Sequence, residues 1–133
     1  MSVSSLQKYR ASQVRNNDAP GVMLMLFEGA ERFLRRSRQG FLENNRQMAL
    51  EAASRARAIV DELNLALDRK QAPEICDALS QIYDFASDRI TQSIISLDVK
   101  YIEEALESLA PIIEGFKEAV PKARAELSQK VAP

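Results

Sequence analysis

Four stretches of this chain repeat apolar residues with the period of a helix, and turn-forming residues separate them. In the first, near 20–42, Met23, Phe27, Ala30, Leu34, Ser37 and Phe41 fall on one line, flanked by Val22, Leu26 and Phe33. That is the stripe a helix turns toward a core. Asp18 suits its cap, and Pro20 suits a first turn, where a missing N–H leaves nothing unpaired. Glu43-Asn44-Asn45 marks a turn. The second stretch, near 46–67, lines up Ala49, Ala53, Ala56, Val60, Leu63 and Leu67, with Ala52 and Ile59 beside them. So many alanines predict close approach of a neighbouring helix.

Asp68 to Ala72 is polar, and Pro73 with Glu74 opens the third stretch, near 73–96. Its apolar arc is the widest, taking in Ile75, Cys76, Leu79, Ile82, Tyr83, Phe85, Ala86, Ile90, Ile94 and Leu97. Such breadth fits a central helix with two neighbours, or a helix with one neighbour and a binding groove. Asp98 caps the fourth stretch, near 99–119, where Ile102, Leu106, Leu109, Ile113 and Phe116 form a stripe with Ala105 and Ile112. Glu103, Glu104 and Glu107 are expected to face water. Pro111 removes a backbone hydrogen bond and should kink this helix, and Pro121 should set off a short charged helix after it. The predicted fold is all-α: an antiparallel four-helix bundle with a short additional C-terminal helix. The bundle domain spans 20–133. Residues 1–19 read as a flexible polar segment with isolated Leu6, Tyr9 and Val14.

Some apolar residues miss these stripes. Leu24 and Met25 fall on the side of the first helix that carries Glu28, Glu31, Arg32 and Arg35. Leu50 and Leu65 lie off the second stripe, and Ile95 lies opposite even the broad arc of the third. Spare apolar side chains on a polar face are candidates for a surface that something covers. Contact with a C-terminal helix, self-association and plain exposure account for them equally.

Composition narrows the possible chemistry. With 133 residues the chain is long enough for one buried core without disulfides or metals, and one cysteine, Cys76, forbids an intrachain disulfide. Four Gly, five Pro and no Trp suit a helical protein. No apolar run is long enough to span a bilayer, and the N-terminus does not read as a signal peptide, so a cytoplasmic protein is expected. Net charge is −1, yet residues 1–57 hold ten Lys or Arg against five acids and residues 58–133 hold eight against fourteen. Arg32, Arg35, Arg36 and Arg38 sit among glutamates with no aromatics for base stacking, so nucleic acid is not the expected partner. Histidine is absent, which removes the commonest general base and metal ligand. Cys76 sits in an apolar arc and reads as a small core residue. No Gly-rich phosphate loop or nucleophile elbow is present. A non-enzymatic protein without cofactor or metal is expected, with a buried Arg and Glu site as the one catalytic arrangement left open.

Several segments together resemble the flagellin export chaperone family, FliS. The family has an N-terminal Tyr, a small residue before Pro, then an apolar run ending in Leu-Tyr/Phe-Asp-Gly-Ala and Arg-Phe-Leu. This chain has Tyr9, Ala19-Pro20, Leu26-Phe27-Glu28-Gly29-Ala30 and Arg32-Phe33-Leu34. Arg55-Ala56-Arg57-Ala58-Ile59-Val60 with Leu63 and Leu67-Asp68 is similar to its Lys-Ala-x-x-Ile-Ile…Leu…Leu-Asp. The segment from Leu79 through Tyr83-Asp84-Phe85 to Arg89-Ile90 resembles its Leu-x-x-Leu-Tyr-Asp-Tyr-Met-x-Arg-Arg-Leu. Asp98, Ile102-Glu103-Glu104-Ala105 and Leu109 follow in order, and spacing agrees over about 9–120. The chain departs from the pattern at Asp88, where the family has the first of two arginines, and at Ser93-Ile94, where it has Ala-Asn. No Gly precedes the third helix, and Phe116 stands near the place of a C-terminal Trp.

The resemblance implies a cytosolic chaperone that binds the disordered C-terminal segment of flagellin. It would prevent premature polymerisation and help deliver its cargo to components of the flagellar type III export gate. In that setting Leu24, Met25, Leu50, Leu65 and Ile95 become expected groove residues for amphipathic helices of flagellin. Tyr9 matches the family's N-terminal tyrosine, whose segment covers apolar surface in the absence of cargo. The alternative of another class is a homodimerising helical adaptor whose off-stripe residues form the dimer contact. A monomer or weak dimer is expected in the free state.

Overall fold

The computed structural model describes residues 19–131, which form helices α1 (Ala19–Leu42), α2 (Arg46–Leu65), α3 (Pro73–Ser96) and α4 (Val99–Val131), with no strand among them. The first segment break is built from local chemistry. The amide of Asn45 donates to the Gly40 carbonyl at 2.8 Å, and the Asn45 side chain then accepts from the Met48 amide at 3.1 Å. One residue closes α1 and opens α2. Asn44 supplies the left-handed step at φ 57°, which Asn tolerates better than most residues.

Helix α2 ends at Leu65, slightly short of the periodicity, because its last turn tightens. The Ala66 amide still reaches the Glu62 carbonyl, but the Leu67 amide turns to Asn64. Arg69 then fastens the connection to α3, meeting Asp77 at 2.8 Å and Ser80 at 3.1 Å. At the other end of α3, Leu97 adopts the left-handed conformation, φ 53°, where Gly is the usual residue. Asp98 follows as a cap, accepting from the Lys100 amide at 3.0 Å.

The separate C-terminal helix expected after Pro121 is not there. Helix α4 continues for 33 residues through both Pro111 and Pro121. Each proline orphans the carbonyl four residues back, on Glu107 and Lys117. Pro111, Pro121, Glu107 and Lys117 are all exposed, so water can satisfy the freed carbonyls and the helix survives.

Helix α1 packs against α2 and α4, and α3 packs against the same two. The broad arc of α3 therefore serves two neighbours. Phe27, Leu34, Leu63, Tyr83, Ile90, Ile102, Leu109 and Ile113 fill the centre. The Phe27 ring lies 4.6 Å from Phe116 and 6.3 Å from Tyr83, which ties three helices together. Buried Ser37 donates to the Ala49 carbonyl at 2.7 Å, and Gly29 faces Ile59. Farther round, Asp61 meets Ser87 and Asn64 meets Asp84. Helices α1 and α2 come close at Gly40, where a Cβ would sit 2.5 Å from the Ala49 nitrogen. The alanines of α2 make this possible.

Candidate functional site

Of the off-stripe residues, Met25 (49% exposed), Leu65 (74%) and Ile95 (69%) stand in solvent, whereas Leu24 and Leu50 are half-buried. Helix geometry spreads them over several flanks. Leu24 lies two turns from Glu31, whose carboxylate meets Lys117 of α4 at 3.5 Å, so it occupies the α4 flank of α1. Met25 lies one turn from Gly29, which faces Ile59, and so occupies the α2 flank. Leu50 lies two turns from Arg57 and three from Asp61, which meets Ser87 of α3, so it is on the side of α2 that meets α3. Leu65 and Ile95 point away from the stripes of their helices. These five residues do not converge on one groove. Tyr9 lies outside the described residues.

The exposed apolar surface includes residues that helical wheels assign to the core. Ile75 and Phe85 belong to the wide arc of α3 yet remain 63% and 46% exposed, and Leu42 and Leu97 are exposed at helix ends. Their position offered a signal. Ile75 sits in the first turn of α3 and Leu42 in the last turn of α1, where fewer neighbours are available to cover a side chain. Phe85 is partly roofed by Arg89, whose guanidinium lies 5.5 Å from the Phe85 centroid and 5.2 Å from that of Tyr101. Asp88 pairs with Arg89, and this hydrogen bond raises the guanidinium pKa further. The carboxylate at a position where the family pattern has arginine therefore acts locally, holding Arg89 over the two rings.

Buried polar chemistry is sparse and structural. Cys76 is buried and its thiol donates to the Asp68 carbonyl at 3.4 Å, which pins the connection before α3. Tyr83 is buried, and desolvation, followed by the nearby Cys76, pushes its hydroxyl pKa up to about 12. No three metal-ligating side chains gather among the described residues, and no described helix is long and apolar enough to cross a membrane.

The described residues define a class by fold: an all-helical bundle with a filled core and large apolar side chains exposed at several places around it. The chain belongs to the FliS family of flagellar proteins, whose profile matches residues 2–123. It is similar to the flagellar secretion chaperone FliS of Salmonella typhimurium (strain LT2), 40% identical over 101 residues that cover 74% of each chain. It is also similar to the flagellar secretion chaperone FliS of Bacillus subtilis (strain 168). That relative is 26% identical over 110 residues, covering 82% of this chain and 81% of its own length.

Proposed function

We propose that this chain is a cytoplasmic export chaperone of the bacterial flagellum. It binds the disordered C-terminal segment of flagellin, keeps it from polymerising early, and delivers it to components of the type III export gate. Membership of the FliS family carries this reading. The exposed apolar residues Met25, Leu65 and Ile95 support it physically. The opposed order of partners along α1 and α2, and along α2 and α3, supports an antiparallel bundle as the scaffold, with 20–133 as its domain.

A disordered segment that folds on binding loses about 2–5 kcal/mol or more of its interaction energy to ordering. One short groove offsets that poorly. Apolar side chains on several flanks suit a cargo that wraps the bundle, burying Leu24, Met25, Leu50, Leu65 and Ile95 in successive contacts. The chemistry asked of the chain is binding alone, with no cofactor and no catalysis.

The test is a titration with a flagellin C-terminal peptide. Binding is expected, with none to flagellin lacking that region. Met25→Glu should weaken the complex markedly, because a carboxylate desolvated in an apolar contact is strongly unfavourable. Met25 is the cleaner probe than half-buried Leu24, where Glu also disturbs packing. Unchanged affinity in a folded Met25→Glu variant removes that flank from the site. Concentration-dependent size without cargo would instead favour the homodimerising adaptor.

A further inference from the structure

On the outer side of the α1–α2 contact lies a shallow pocket of about 460 Å³, lined by Arg32, Phe33, Arg36, Met48, Glu51 and Arg55. Half-buried Phe33 is flanked by two guanidiniums, Arg32 at 5.6 Å and Arg55 at 5.8 Å from its centroid. Glu51 is the one carboxylate of this lining, and Arg55 engages it at 3.2 Å. Arg32 and Arg36 are exposed and have no ion pair among the described residues.

Guanidiniums around an aromatic floor match carboxylates borne on an apolar segment, since Arg binds carboxylate through a planar fork and Phe33 with Met48 can take a side chain. The chain's own tails have the wrong charge. Residues 1–18 carry Lys8, Arg10 and Arg15 against Asp18, and residues 122–133 carry Lys122, Arg124 and Lys130 against Glu126. An acidic segment of another polypeptide matches the pocket better than either of these stretches. Exposed ion pairs set association rate and salt sensitivity more than lasting affinity, which suits a partner met briefly and suits a sequestered cargo poorly. The geometry points to a second docking surface: the α1–α2 pocket receives an acidic segment of a partner protein other than the cargo, carboxylates on Arg32 and Arg36 and an apolar side chain against Phe33 and Met48.

The probe is a synthetic amphipathic peptide with Glu on one face and Leu on the other, compared with its Gln-for-Glu twin. Anisotropy titrations would use the full chain, the Arg32→Glu/Arg36→Glu variant, and an Arg57→Glu/Lys100→Glu control of the same net charge. Circular dichroism would verify that all three are folded. The acidic peptide should bind the full chain and the control alike, lose about tenfold in affinity on Arg32→Glu/Arg36→Glu, and weaken with salt. The flagellin C-terminal peptide should bind all three equally. Equal binding of the Gln twin, or equal loss in both variants, would overturn the proposal by reducing it to bulk charge. Competition between the acidic and flagellin peptides would overturn it by assigning the pocket to cargo. Self-association abolished by Arg32→Glu/Arg36→Glu would overturn it in favour of a second copy. A flagellin peptide that binds none of the three refutes the chaperone reading and leaves the acidic-peptide result to stand or fall separately.

Discussion

Tyr83 places a hydroxyl inside the bundle, buried and without a partner among the described residues, and its pKa rises to about 12. The unfolded chain ionises near 10. Below that pH the tyrosine is neutral in both states, and its contribution to stability is fully present. As pH climbs from 10 through 12 the unfolded state loses its proton first, so stability is lost across that window. Urea midpoints should therefore fall faster with pH in the wild type than in Tyr83→Phe, and parallel slopes would refute a buried, neutral Tyr83. At this same scale the sequence reveals only part of the candidate surface. A helical wheel gives the direction of a side chain but not what stands opposite. Leu24 and Leu50 leave their stripes yet point at flanks that a neighbouring helix half covers. Phe85 stays within its arc and is nevertheless reached by solvent, since the covering group is Arg89 and not another helix.

Between elements, the decisive contact is Gly40 against Ala49. A methyl group at Gly40 would meet backbone atoms at 2.5 and 2.8 Å, and backbone cannot swing aside. Gly40→Ala should cost about 2–3 kcal/mol despite the better helix propensity of alanine. Gly115 has nothing within 4 Å of the same methyl position, so Gly115→Ala should gain about 0.5–1 kcal/mol. Chemical denaturation of both variants checks the pair; a stable Gly40→Ala protein would mean that α1 and α2 separate freely. The helices themselves were legible because period, turn residues and caps agree at Asn45, Pro73 and Asp98. Pro121 misleads because sequence shows the hydrogen bond a proline removes but not that the orphaned Lys117 carbonyl belongs to a solvent-exposed face. Left-handed Leu97 is equally hidden, since nothing in a leucine announces that conformation.

For the molecule as a whole, we propose that the N-terminal segment, which includes Tyr9 and lies outside the described residues, covers part of the exposed apolar surface when cargo is absent. A segment that covers the cargo surface lowers apparent affinity by the fraction of molecules held closed. Removing residues 1–16 leaves α1 intact from Ala19. It should tighten flagellin-peptide binding modestly and make the free protein aggregate more readily; weaker binding would make the segment part of the site itself. Helix α4 has a different consequence. Among its described side chains the last buried one is Val120, and Pro121, Lys122, Ala125, Glu126 and Gln129 beyond it are exposed. This final stretch is shorter than the roughly 12–15 residues at which an isolated helix becomes even marginal, and none of its described side chains is buried. Its ellipticity is expected to contribute to the far-ultraviolet spectrum but not to the cooperative transition. A thermal melt should therefore show a native baseline that already slopes, and a van't Hoff fit with a flat baseline would understate the unfolding enthalpy of the bundle.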